Sequence, residues 1–147
     1  MKNLHKSVLL WHSADEMFAL VTDVARYPEF LPWCSSARVL ETLPDGMTAE
    51  IGMKVAGLSQ AFTTRNTHEN GRSVQMQLVS GPFSRLSGGW RFTPLGTGSE
   101  RACKVELELH YGFSSAALAA VVGPVFDRIA ASLVDAFVKR ADQVYGA

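Results

Sequence analysis

The strongest constraint on the fold is the regular alternation of side chains from Cys103 to Phe113. Apolar residues take every second position of this segment, and the positions between them hold Lys104, Glu106, Glu108 and His110. Successive side chains of a β-strand point to opposite faces, so this pattern predicts a strand with one buried face. Six other segments are also predicted as strands, and they are 3–11, 36–42, 47–55, 58–68, 73–78 and 86–92. Segment 58–68 has the poorest alternation of these.

Residues typical of tight turns separate the predicted strands. They are Pro44-Asp45-Gly46, Asn70-Gly71, Gly81-Pro82 and Gly96-Thr97-Gly98. Glycine, asparagine and proline supply the backbone angles that short hairpin turns require. Short connections between successive alternating strands therefore predict an antiparallel meander.

Two segments have a helical period instead. Ser13 followed by Glu16 has the spacing of a capping box, which predicts a helix that starts there and is interrupted at Tyr27-Pro28. After Pro124 the apolar residues recur at helical spacing up to Val144, which predicts a long amphipathic helix. Because proline disrupts a helix interior, Gly123-Pro124 predicts a kink or a break, with residues 114–122 as a separate short helix or lid.

These elements predict an α+β fold. A curved antiparallel sheet of about seven strands would wrap around the long C-terminal helix, with two short helices after the first strand. A chain of 147 residues that is 47% hydrophobic and 19% charged can build a real core and is too apolar to be disordered. We therefore expect residues 1–147 to form one domain.

Charge and cysteine content narrow the function. Fourteen basic residues balance fourteen acidic ones, so no overall field favours DNA or an anionic membrane, although binding to a ribonucleoprotein by shape stays open. Cys34 and Cys103 are too few for a disulfide framework and are expected to be free, buried thiols. The apolar run from Val8 to Trp11 is too short for a signal peptide or a membrane span, so we expect a soluble, cytoplasmic protein.

Residues 27–34, Tyr-Pro-Glu-Phe-Leu-Pro-Trp-Cys, concentrate four large apolar side chains and two prolines. Proline restricts its own backbone and that of the preceding residue, so this segment is predicted to be stiff and kinked. Phe30 and Trp33 are then candidates either for plain core or for the mouth of an apolar cavity.

Two motifs carry a family resemblance. They are Asp23-Val-x-x-Tyr27-Pro28-x-Phe30-Leu31-Pro32-Trp33-Cys34 and Gly81-Pro82-Phe83-x-x-Leu86-x-Gly88-x-Trp90-x-Phe92. On these residues the chain resembles START-like proteins, which have the helix-grip (Bet v 1-like) fold and include the polyketide cyclase/dehydrase type. Within them it is most similar to the coenzyme Q-binding branch, which also contains the bacterial ribosome association toxin.

The resemblance implies a START-like lipid-binding domain with a deep apolar cavity between the sheet and the C-terminal helix. Family members hold ubiquinone or another polyisoprenoid quinone there as a bound ligand, need no other cofactor, and support respiratory electron transport as carriers. The alternative that the resemblance implies is binding to the large ribosomal subunit, which blocks subunit association. Transient contact with the inner face of the membrane would accompany the carrier role.

Twelve residues are candidates for lining this cavity, and they come from the aromatic segment, the inward strand positions and one face of the long helix. They are Tyr27, Phe30, Trp33, Met53, Met76, Leu78, Trp90, Phe92, Leu107, Val125, Ile129 and Leu133. Each methionine suits ordinary core filling as well as ligand contact. Gly88 suits either a sheet bend or a close approach of ligand, and the Tyr27 hydroxyl could bond a quinone carbonyl or the backbone. The segment at Gly123-Pro124 is expected to open for the isoprenoid tail.

No catalytic or metal site is predicted. The four histidines share no metal-ligand spacing. They are His5, His12, His68 and His110. No motif for a catalytic serine or cysteine and no phosphate-binding loop is found. An enzyme of the cyclase or aromatase type is the weakest reading, because it would need an acid–base pair inside the cavity.

Overall fold

The computed structural model describes residues 2–55, 57–96 and 101–146. Within them the chain forms seven strands, two α-helices and one 3₁₀ helix. The strands are β1 (Lys2–Leu10), β2 (Cys34–Leu43), β3 (Gly46–Val55), β4 (Leu58–Glu69), β5 (Ser73–Ser80), β6 (Phe83–Pro94) and β7 (Cys103–Phe113). The helices are α1 (Ala14–Thr22), the 3₁₀ helix (Val24–Glu29) and α2 (Ala116–Tyr145).

All seven strands form one antiparallel sheet in the order β1-β7-β6-β5-β4-β3-β2. Strands β2 to β7 make the predicted meander. The last strand, β7, also pairs with β1, where Val8 lies opposite Val105. The predicted turn residues Asn70-Gly71 and Gly81-Pro82 connect consecutive strands, and Pro44-Asp45 leads into β3 at Gly46. The predicted turn at Gly96-Thr97-Gly98 extends into residues outside the described chain.

The capping box at the start of α1 is confirmed. The Ser13 hydroxyl accepts a hydrogen bond from the Glu16 backbone N–H at 3.0 Å, and the Glu16 carboxylate accepts one from the Ser13 N–H at 2.8 Å. These bonds satisfy two of the backbone donors that a helix start leaves without partners. The Glu16 carboxylate also binds the Arg101 guanidinium at 2.9 Å, which ties this helix start to the beginning of β7.

The predicted break at Gly123-Pro124 is wrong, because α2 runs without interruption for 30 residues. Proline clashes with the Cβ of the residue before it when that residue is helical. Here that residue is Gly123, which has no Cβ. Val122 and Phe126 are buried on either side of the proline, so packing stabilises the helix through this point. There is consequently no separate short helix over residues 114–122.

Helix α2 packs on the inner face of the sheet. Its Phe126 ring lies 4.8 Å from the Tyr111 ring of β7, and Val134, Phe137 and Ala141 continue the buried face. The helix is long and apolar enough to span a membrane, but the core helix of a folded domain can have the same length and composition.

Candidate ligand-binding cavity

A cavity of about 90 Å³ lies between the sheet and α2, lined by β3 to β7, by α2 and by the segment after α1. Its lining is almost wholly apolar, as expected for a site that takes a hydrophobic molecule. The lining residues are Val24, Tyr27, Leu31, Trp33, Ala49, Ile51, Phe62, Thr64, Asn66, Met76, Leu86, Ser87, Trp90, Leu107, Leu109, Phe126, Ile129, Leu133 and Phe137.

The structure brings seven of the twelve predicted residues together around this cavity. They are Tyr27, Trp33, Met76, Trp90, Leu107, Ile129 and Leu133. Their contact with a ligand stays a prediction. They converge because inward positions of neighbouring strands share one face of the sheet, and because that face meets the buried side of α2.

Phe30 and Phe92 lie outside the lining. Phe30 packs edge-on against Phe137 at 5.1 Å between ring centroids, and the Arg140 guanidinium lies 5.1 Å above its ring. Phe30 lines a separate groove together with Arg140. Phe92 is 1% exposed and packs edge-on against Phe18 of α1 at 6.2 Å, so it belongs to the core beneath that helix.

Met53, Leu78 and Val125 also do not line the cavity. Met53 is 1% exposed and pairs with Cys34, the first residue of β2, which places it in the solid core. Leu78 and Val125 are half-buried residues packed against the core. Of the two roles that the sequence allows for Met53, core filling fits its position, and Leu78 and Val125 lie beside the core rather than on this cavity wall.

Tyr27 is not free to bind a ligand through its hydroxyl. The hydroxyl donates a hydrogen bond to the backbone carbonyl of Val21. Burial raises the pKa of Tyr27, with smaller contributions from Cys34 and Asp23. Of the two roles that the sequence allowed for this hydroxyl, the structure has the bond to backbone, and the ring alone faces the cavity.

Trp33 lies where the aromatic segment meets the sheet. It lines the cavity while remaining half-buried, and its carbonyl accepts a hydrogen bond from the Lys54 N–H at 2.9 Å. The neighbouring Leu31 is 1% exposed and anchors the segment in the core. This arrangement fits the rim position predicted for Trp33.

Gly88 is required by the backbone rather than by a ligand. Its φ is +130°, and a Cβ built there would lie 2.0 Å from the carbonyl oxygen of Glu108 on β7. Residues with a side chain rarely adopt such an angle. The sheet-geometry interpretation of Gly88 is therefore the better one.

A buried polar pair on β4 was not predicted from the sequence. The Thr64 hydroxyl donates a hydrogen bond to Asn66 Oδ1 at 2.8 Å, and the two residues are 4% and 6% exposed. With Phe62 they form the inward row of β4, and all three line the cavity. The poor alternation of segment 58–68 was the available signal, because two of its inward positions are polar.

Charge is almost absent from the cavity wall. Among the described residues that line it, Tyr27 alone is ionisable, and its hydroxyl is engaged by Val21. In the described parts of the chain, no three histidine, cysteine or acidic side chains are grouped to hold a metal ion. Cys34 and Cys103 are free, buried thiols, as predicted. Burial raises the pKa of both, for Cys103 to about 11.

A family model described as polyketide cyclase/dehydrase and lipid transport matches residues 10–138. The chain belongs to this family. Among its members, the chain is 49% identical to a Vibrio cholerae protein named ribosome association toxin RatA, and the match covers 99% of both chains. It is 26% identical to the Xenopus laevis protein named mitochondrial coenzyme Q-binding protein COQ10 homolog B, covering 96% of this chain and 58% of that one. The predicted family resemblance is thus confirmed.

Two solved structures share the fold. The 18 kDa protein CC1736 from Caulobacter crescentus is 36% identical with a TM-score of 0.75, and both chains are covered completely. The Zhui aromatase/cyclase from a Streptomyces species has a TM-score of 0.81 at 18% identity, covering 97% of this chain and 94% of that one. At this low identity the second likeness shows the fold alone, and it confirms the predicted helix-grip architecture.

Proposed function

We propose that this protein binds the ribosome and controls the association of its subunits, with the large subunit as the partner. The observation that carries the proposal is the 49% identity to a protein named ribosome association toxin RatA, over 99% of both chains. Because the match covers 99% of both chains, it spans the whole of the fold described above. Binding to the ribosome was the alternative hypothesis from the sequence, and it now has more support than the quinone-carrier role. It places the protein in the cytoplasm.

The charge balance sets the expected mode of ribosome binding. With fourteen basic and fourteen acidic side chains, the protein has no net charge with which to hold many phosphates. A protein that makes six to ten phosphate contacts loses roughly 10³- to 10⁵-fold in affinity between 50 and 200 mM salt. We expect a much smaller loss here, since the fit would rest on shape and on neutral hydrogen bonds.

Sedimentation tests the proposal directly. The purified protein is mixed with ribosomes and centrifuged through sucrose gradients at two salt concentrations. We expect it to migrate with the large subunit and to reduce the assembled ribosome fraction. Zhui aromatase/cyclase is a matched control, because it shares the fold at 18% identity. Equal effects of the two proteins, or no effect of either, would contradict the proposal.

A second candidate function is the binding of a small apolar ligand, and the cavity favours it. The resemblance to a coenzyme Q-binding protein supports a quinone. The size of the cavity limits this reading, because about 90 Å³ is less than the roughly 150 Å³ of an engineered cavity that binds one benzene. A polyisoprenoid tail would enter only if lining side chains or α2 moved, and α2 is continuous at Pro124, next to the segment that was expected to open for the tail.

Extraction of the protein from its native host with organic solvent tests this candidate. A quinone or polyprenyl lipid recovered in stoichiometric amount would support it. Repeated recovery of none, together with no binding in titrations, would contradict it. Membrane contact belongs to this candidate alone and is tested by flotation of the protein with vesicles.

An enzymatic role has less support than either candidate. A cyclase or aromatase needs groups that transfer protons at the substrate. The described residues of the cavity wall hold one ionisable side chain, Tyr27, whose hydroxyl is bonded to Val21.

A further inference from the structure

The side chain of Asn66 has a hydrogen-bonding capacity that the protein does not use. Its Oδ1 accepts the bond from Thr64, and within residues 2–55, 57–96 and 101–146 this is the bond that its side chain makes. The residue is 94% buried, with only 6% of its surface exposed. Asn66 lines the apolar cavity, so its Nδ2 is available to a ligand there. A donor in apolar surroundings gains free energy when a ligand supplies an acceptor.

We propose that Asn66 is the recognition group for a neutral carbonyl on a small apolar ligand. The inference rests on the second candidate function and deepens it. The Thr64 hydroxyl fixes the amide by holding Oδ1, so Nδ2 is left to donate to the ligand. Thr64 is thus a positioning residue and does not itself contact the ligand.

The lack of charged side chains among the described residues of the cavity wall determines which class of ligand can bind. A buried carboxylate or ammonium needs a partner of opposite charge, and the described lining residues offer none. Fatty acids and amines are therefore excluded by desolvation cost. A ketone, quinone or ester carbonyl is neutral and accepts hydrogen bonds, which matches the free donor.

The neighbourhood of Asn66 also indicates where the ring of such a ligand lies. Met76 stands directly opposite Asn66 on β5, and Gly88 follows Met76 on β6 in the same row. Methionine side chains are flexible and adapt to different shapes. Withdrawal of the Met76 side chain would enlarge the cavity next to the amide, where Gly88 presents no side chain of its own.

A matched pair of probes tests the proposal. Duroquinone and durene have the same tetramethylated six-membered ring, but duroquinone carries two carbonyls and durene carries none. Full substitution of the ring also keeps duroquinone from adding to cysteine. Isothermal titration calorimetry gives the dissociation constant of each probe with the wild-type protein and with each variant.

Three variants separate recognition from folding. Asn66→Leu removes the donor at similar size, and Thr64→Val removes the positioning hydroxyl. Thr63→Val is the matched control, because Thr63 is a buried threonine of the same strand that does not line the cavity. We expect Asn66→Leu to weaken duroquinone binding about tenfold, the equivalent of one neutral hydrogen bond. We expect about threefold for Thr64→Val on the same scale, and unchanged durene binding in all three variants.

Each outcome of these titrations either supports or overturns the proposal. Tighter binding of duroquinone than of durene, lost selectively in Asn66→Leu and Thr64→Val, supports the proposal. Equal binding of the two probes by the wild type, or losses no larger than those of Thr63→Val, overturns it while the apolar cavity function stands. Failure of the wild type to bind either probe overturns that function and this inference together. If Asn66→Leu lacks a cooperative thermal transition, Thr64→Val and the wild-type probe comparison give the answer.

Discussion

The hydroxyl of Tyr111 on β7 donates a hydrogen bond to the carboxylate of Asp127 on α2, with the two oxygens 2.5 Å apart. Asp127 also binds the Lys2 ammonium of β1 at 3.3 Å. Burial raises the pKa of Tyr111, and the bond to Asp127 raises it further. One carboxylate therefore joins the long helix to two neighbouring strands.

Tyr111→Phe should lower the free energy of unfolding by about 1.5–3 kcal/mol, because the lost bond has a charged acceptor. Tyr145→Phe is the matched control, since the Tyr145 hydroxyl donates to a neutral acceptor, the Glu16 carbonyl, at 3.1 Å. Its expected cost is about 0.5–1.5 kcal/mol. Urea unfolding of both variants gives the comparison, and an equal or larger loss for Tyr145→Phe would contradict this account of Asp127.

Alkaline pH should destabilise the protein, beginning near the ordinary thiol pKa of 9.0. The pKa of Cys103 is raised to about 11 in the folded state, so between these values the unfolded chain binds fewer protons than the folded one. Stability from this group is complete below pH 9 and is lost as the pH rises towards 11, by up to about 3 kcal/mol. Tyr27 and Tyr111, whose pKa values are also raised, extend the loss above pH 10.

Cys103→Ala isolates the contribution of this thiol from that of Cys34, whose pKa is also raised by burial. Its free energy of unfolding, measured by urea at pH 8, 9, 10 and 11, should be lower than that of the wild type at pH 8 but fall less steeply. Parallel curves for the two proteins would show that Cys103 does not cause the alkaline loss.

Pro124→Ala should stabilise the protein, by up to about 3 kcal/mol, because proline in a helix interior lacks a donor and clashes with the preceding turn. The absence of a Cβ at Gly123 explains why the helix continues, and a double-mutant cycle tests this. In the Pro124→Ala background, Gly123→Ala should add about 1 kcal/mol of stability through helix propensity, since the nearest atom outside the helix to the added Cβ, on Phe113, is 3.8 Å away. With Pro124 present the gain should shrink or reverse. Equal gains in both backgrounds would contradict the explanation.

Filling the cavity should separate the two candidate functions. Ala49 lines the cavity and is 1% exposed, so Ala49→Leu occupies internal space without changing the surface. We expect it to abolish duroquinone binding and to leave the effect on ribosomal subunits intact. Ala61→Leu, at an exposed position of β4, is the control for an added side chain. Loss of the ribosomal effect in Ala49→Leu but not in Ala61→Leu would show that the cavity serves that role as well.

Most of the fold could be predicted because its physical signals are local. The alternation of β7, the turn residues and the capping box at Ser13 each act over a few residues. The structure has the alternation, the capping box and the turns that lie within the described residues where they were expected. The break at Pro124 was predicted wrongly because propensity is local, whereas the burial of Val122 and Phe126 depends on tertiary packing.

The cavity wall was harder to predict than the core. Trp90 and Phe92 lie two positions apart on the same strand face, yet one lines the cavity and the other packs under α1. Alternation marks both as inward and cannot tell a wall from solid core. Asn66 was missed because a search for apolar positions discards a polar residue, although its inward place on β4 makes it the most informative residue of the wall.

The central claim is that the protein acts on the ribosome, and a reassociation assay measures this most directly. Separated ribosomal subunits are mixed at constant magnesium concentration with increasing amounts of the purified protein, and the assembled fraction is read from a sucrose gradient. The account predicts that assembled ribosomes decrease in proportion to added protein, which sediments with the large subunit. An unchanged assembled fraction at excess protein, with none sedimenting with either subunit, would contradict it.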